Sequence, residues 1–107
     1  MKVSQFIELK RRQISFYVTA FTHQTLPYSE LHLFLWDTLE EWQQVKVTQN
    51  EPYSKYERVF WHLMHLLSYW SEKQLLKDQY LRDELTLCVE FLDGEGCFPV
   101  DCVGIRP

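Results

Sequence analysis

The stretch SKYERVFWHLMHLLSYWSE, residues 54–72, decides how the rest of the chain is read. At the helical period it gathers Tyr56, Val59, Phe60, Leu63, Leu66, Leu67 and Trp70 on one arc, the pattern of a helix with one buried face. Ser54 and Glu57 have the spacing of a capping box, in which the two side chains satisfy otherwise unpaired amides at a helix start. Arg58, Trp61, His62, His65, Tyr69 and Glu72 fall outside the arc. A tryptophan is unexpected there, because so large a ring needs a cover.

Downstream, residues 78–93 (DQYLRDELTLCVEFLD) admit two readings. The alternation Leu85, Leu87, Val89, Phe91 fits one face of a strand, which leaves room for an α+β fold with a small C-terminal hairpin. A helix fits better. It separates a polar stripe of Gln79, Arg82, Asp83, Thr86, Glu90 and Asp93 from Leu81, Leu85, Cys88, Val89 and Leu92, whereas the strand puts Leu92 among the polar residues. Gly94 then ends the helix. Between the two, Ser71 and Gln74 repeat the capping-box spacing, which predicts a kink or short break over 71–77.

Upstream, Val3, Phe6, Ile7, Ile14, Tyr17, Val18 and Phe21 share one side of a helix, and Leu31, Phe34, Leu35, Thr38, Leu39, Trp42 and Val45 share one side of another. Lys10 interrupts the first apolar arc, and a carboxylate partner or a snorkelling side chain accounts for it. Pro27, Pro52 and the 94–107 segment, with its Gly and Pro residues, are the punctuation. The prediction is an all-α single domain over 1–107: a compact four-helix bundle with helices at about 4–24, 29–46, 54–72 and 78–93. An ordered, extended C-terminal tail, 94–107, is expected to pack over it through Phe98, Val100, Val103 and Ile105.

Composition narrows the function classes. Hydrophobic residues at 46% and charged residues at 24% describe a chain that folds by itself rather than a disordered one. A net charge of −4 argues against nucleic-acid phosphates and anionic membranes as partners, and Lys10-Arg11-Arg12 is too short a run to reverse it. No apolar run approaches the ~20 residues of a membrane span, and charge at Glu8 and Lys10 breaks any signal-peptide core. Cys88, Cys97 and Cys102 make an odd set without a Cys-x-x-Cys spacing, read as reduced thiols. Together these absences point to the cytoplasm.

No catalytic, metal-binding or cofactor-binding constellation stands out in the sequence. His62 and His65 have the i, i+3 spacing of two imidazoles on one metal, with His23, His32, Cys97 or Cys102 available to complete a set, but two surface histidines beside Tyr69 are the simpler account. Cys88 lies on a core arc and reads as packing, and no histidine is placed beside Cys97 or Cys102 by the pattern. Asp37, Glu40 and Glu41 read as a solvated face, and Gly94-Glu95-Gly96 as a helix cap and turn.

What remains is a surplus of rings. Leu33 and Trp36 lie off the core face of the second helix, as Arg58, Trp61, His62, His65 and Tyr69 do on the third. Either a second buried side covers them, or they form an exposed aromatic patch of the kind that binds partners. The expectation is a non-enzymatic interaction or regulatory module that offers these seven residues to a protein partner or to a second copy in a homo-oligomer. The alternatives are a small metal-dependent or cysteine hydrolase using His62 and His65, and an acidic protein that neutralises a basic partner surface.

Overall fold

The computed structural model describes residues 1–48, 51–99, 102 and 104–107. Within them the chain forms five helices: α1 (Val3–Thr22), α2 (Tyr28–Trp42), α3 (Lys55–Tyr69), α4 (Glu72–Lys77) and α5 (Gln79–Leu92). The fold is all-α, and residues 79–92 are helical rather than a hairpin. The four expected helices are present, and the short break becomes a helix of its own. Trp70 adopts extended backbone angles that end α3, and Ser71 and Gln74 form a reciprocal capping box that starts α4. Asp78 closes α4 and caps α5, its Oδ1 accepting from Leu81 N–H at 3.0 Å.

Two boundaries differ from expectation for local reasons. α1 stops at Thr22 because Gln24 takes a left-handed conformation, φ 60°, and Thr25 N–H turns back to Ala20 O. α2 ends four residues before the predicted 46, because Lys46 leaves the helix to form an isolated parallel bridge with Lys2.

The core lies where α1, α3 and α5 meet. Phe6, Ile14, Val18 and Phe21 from α1 face Phe60, Leu63 and Leu67 from α3 and Leu85, Cys88 and Leu92 from α5, all buried. Sealing one such side chain from water contributes about 1.5–3 kcal/mol. At one end Phe6 gathers Trp42, Phe60 and Trp61 at centroid distances of 5.3, 6.2 and 6.3 Å. α3 and α5 run antiparallel, as Tyr56 near the start of one packs on Phe91 near the end of the other at 5.2 Å. Lys10, the intruder on α1's apolar arc, is buried and has its carboxylate partner: it ion-pairs with Glu41 of α2 and donates to Gln13 Oε1.

The tail packs on the helices through Phe98, Cys102, Gly104 and Arg106, whereas Ile105 points to solvent. Val100 and Val103, two of its expected contacts, lie outside the described residues. No helix is long and apolar enough to cross a membrane among the described residues.

Candidate functional site

Gly104 determines how close the tail comes to α3. A Cβ placed on it would lie 2.1 Å from Arg58 O, 2.8 Å from His62 N and 2.9 Å from Trp61 Cβ, so only a residue without a side chain fits against this stretch of helix backbone. Two residues later, Arg106 grips α3 with a planar fork: Nε donates to Glu57 Oε2 at 2.5 Å and Nη2 to Glu57 Oε1 at 2.8 Å. Its Nη1 donates to Glu51 O, its backbone N–H to the Tyr53 hydroxyl, and its guanidinium lies 4.1 Å from the centre of the Tyr53 ring.

Glu57, 1% exposed, also accepts from Trp61 Nε1 at 2.9 Å. A carboxylate so deeply buried is tolerable only with donors on both oxygens, and it has them. This corrects the capping-box reading at the start of α3. Ser54 Oγ does accept from Glu57 N–H, but the Glu57 side chain turns inward to Arg106 and Trp61 instead of back to Ser54.

Trp61 is corrected with it. At 3% exposed it is no part of a surface patch, because its ring packs against Phe6, Trp42 and Phe60 while the tail and Glu57 cover the rest.

Two residues before Gly104, Cys102 is buried and joins Cys88 of α5 and His62 of α3. One ligand atom from each lies within 4.8 Å of the other two. Glu84, one turn before Cys88 on the same face of α5, brings Oε2 to 3.6 Å from His62 Nε2. That oxygen is shielded from solvent and has no hydrogen-bond partner. Burial, the neighbouring Cys102 thiol and the Glu84 charge all push the Cys88 thiol up, which keeps it protonated and a poor nucleophile on its own. The sequence reading placed no histidine beside Cys102, and the structure does. His62 and Cys102 were among the candidate ligands in the sequence, but with His65 as the partner of His62; Glu84 and Cys88, at i, i+4, were the one pair that local spacing could join.

The remaining ring-bearing residues separate by helix. On α2, Tyr28 rests on Phe21 of the core at 5.9 Å, His32 stacks on Tyr28 at 5.5 Å, and Trp36 meets the edge of His32 at 6.4 Å, forming a ladder that climbs outward along one flank. Trp36 is 59% exposed and Leu33 beside it 54%. Glu30, Asp37, Glu40 and Glu41 are exposed around them, and no Lys or Arg occurs between Tyr28 and Trp42. On α3, His65 stacks on the exposed Tyr69 at 6.0 Å, and Tyr69 meets the edge of Trp70 at 4.9 Å. Arg58 is exposed, while His62 turns to α5 rather than to His65. The two ladders share no ring, so of the seven expected residues Leu33 and Trp36 are exposed on α2, Arg58, His65 and Tyr69 are exposed on α3, His62 faces α5 and Trp61 is buried. Of the two rings that brace Trp36, Tyr28 was not singled out from sequence and His32 was named only as a possible metal ligand.

Compared with protein-family models, curated proteins and solved structures, the chain matches none.

Proposed function

We propose that the protein is a non-enzymatic docking module whose binding face is the outer side of α2, centred on Trp36 and Leu33, and that its partner is another protein carrying an apolar pocket ringed by basic residues. The observation that carries this reading is the outward ladder Phe21, Tyr28, His32, Trp36. A ring propped from the core by two others is held in position before binding, which lowers the ordering cost of docking. A large ring with a polar edge is also the type of side chain that dominates interface energetics.

The choice of partner follows from charge. Glu30, Asp37 and Glu40 surround the apolar centre, with Glu41 nearby already paired to Lys10, so two copies meeting by this face in a two-fold dimer would set carboxylates against carboxylates. A basic rim on a different protein relieves that repulsion and speeds encounter at low salt. The exposed pair His65 and Tyr69 on α3 is a lesser candidate, since it lacks a charged rim of one sign and the Trp61 ring once grouped with it is buried.

A photoreactive phenylalanine analogue placed at position 36 tests the proposal in cells that make the protein. The expected result is a discrete adduct with one different protein, weakened by salt during capture and missing when the analogue sits at Leu87, exposed on α5. An adduct of twice the chain's mass, or the same adducts from both positions, overturns it.

A further inference from the structure

We propose that His62, Cys88 and Cys102, with Glu84 as the fourth donor, form a binding site for a zinc-class metal ion that cross-links α3, α5 and the C-terminal tail. The site is independent of the docking face on α2.

Three donors converge from three segments that are far apart in sequence, and Glu84 adds a carboxylate oxygen beside His62. His62 comes from α3, Glu84 and Cys88 from one face of α5, and Cys102 from the tail that Gly104 holds against α3. The donor set is two thiols, an imidazole and a carboxylate, a combination suited to zinc and unlike the all-oxygen shells of magnesium or calcium. Donors about 2.0–2.3 Å from a tetrahedral ion stand roughly 3.3–3.8 Å apart. The three ligand atoms already lie within 4.8 Å of one another, so small side-chain rotations close the site.

A second observation points the same way. Glu84 Oε2 is shielded from water, accepts no hydrogen bond, and faces His62 Nε2 at 3.6 Å, beyond hydrogen-bond range. A buried carboxylate oxygen without a donor is costly, and the chain meets the same problem at Glu57 by supplying Arg106. At Glu84 a cation is the missing counterpart. On binding, each thiol gives its proton to solvent and coordinates as thiolate, and His62 coordinates as the neutral imidazole. The ion then secures the tail on one side of Gly104 as Arg106 secures it on the other.

The test uses the full chain purified without added metal, followed by elemental analysis and titration with cobalt(II). The expected results are one metal ion per chain and, for cobalt, a thiolate-to-metal charge-transfer band in the near ultraviolet. Cys102→Ser and His62→Gln should weaken zinc binding about 100-fold and Glu84→Gln about 10-fold, measured against a competing chromophoric chelator. Cys97→Ser, at the exposed thiol, should change nothing. Zinc should also raise the melting temperature of the wild-type chain and not that of Cys102→Ser. The charge-transfer band needs no variant to fold. A cobalt spectrum without it, equal zinc affinity in Cys102→Ser, or a native chain whose mass shows Cys88 and Cys102 joined in a disulfide overturns the site.

Discussion

Trp36 and Trp61 pose the same problem to a helical wheel, since both stand off the apolar face of their helix, and the fold treats them in opposite ways. Trp36 projects from α2 at 59% exposure on a ladder of rings, whereas Trp61 is 3% exposed, with its indole nitrogen donating to a buried carboxylate. The difference lies outside both helices. A segment without regular structure crosses α3 at Gly104 and nothing described crosses α2 at Trp36. An off-face ring on a helix therefore says that a second cover is needed, and only the path of the remaining chain says whether the protein supplies it.

That contrast is open to direct attack by substitution. The largest effect is expected at the sealed ring: Trp61→Ala should remove about 3–5 kcal/mol of stability in chemical denaturation, through lost burial and the cavity left beside Phe6 and Trp42. A loss below 1 kcal/mol would mean the ring is not packed as described. Next, Gly104→Ala should cost about 1–3 kcal/mol, because its methyl group meets the backbone of α3 and the tail must lift. Quenching of tryptophan fluorescence by iodide should rise in the same variant as Trp61 is uncovered, and an unchanged quenching constant would show that the tail is not its cover.

Glu57→Gln keeps the shape of the buried group but withdraws the charge that faces Arg106. It should cost about 1–2 kcal/mol, and a stabilised protein would show that desolvating the pair outweighs its attraction. The smallest effect belongs to Trp36→Ala, expected to shift stability by no more than about 0.5 kcal/mol while abolishing capture of a partner. A loss comparable with that of Trp61→Ala would erase the distinction between the two rings and remove the docking face.

The helical architecture was legible because each long segment carries one apolar arc, and its ends carry the residues that stop a helix. Residues 78–93 were the hardest, and a continuous polar stripe with Leu92 on its apolar side tipped them toward the helix that forms. The break at 71–77 was visible in the second capping-box spacing. What escaped were pairings between groups far apart in sequence. Glu57 has the spacing of a cap but spends its carboxylate on Arg106, 49 residues away. Cys102 meets His62 and Cys88 only because a glycine two places on lets the tail touch a helix. Periodicity reports which side of a helix is apolar and is silent on which irregular segment lies across it. The exposed half of the candidate surface, Leu33 and Trp36, was legible for the complementary reason: nothing non-local intervenes there.

The corner at Asp78, where one residue finishes α4 and begins α5, has a bearing on all of this. Because α5 starts at a fixed point, its rotational phase relative to α3 is set by the length of the six-residue α4 before it. Adding or deleting one residue there would turn α5 by about 100° and slide it about 1.5 Å. Glu84 and Cys88 would swing away from His62, and Leu85 and Leu92 would leave the core with them. The short helix thus works as a spacer whose length is indexed to the side chains on both of its neighbours.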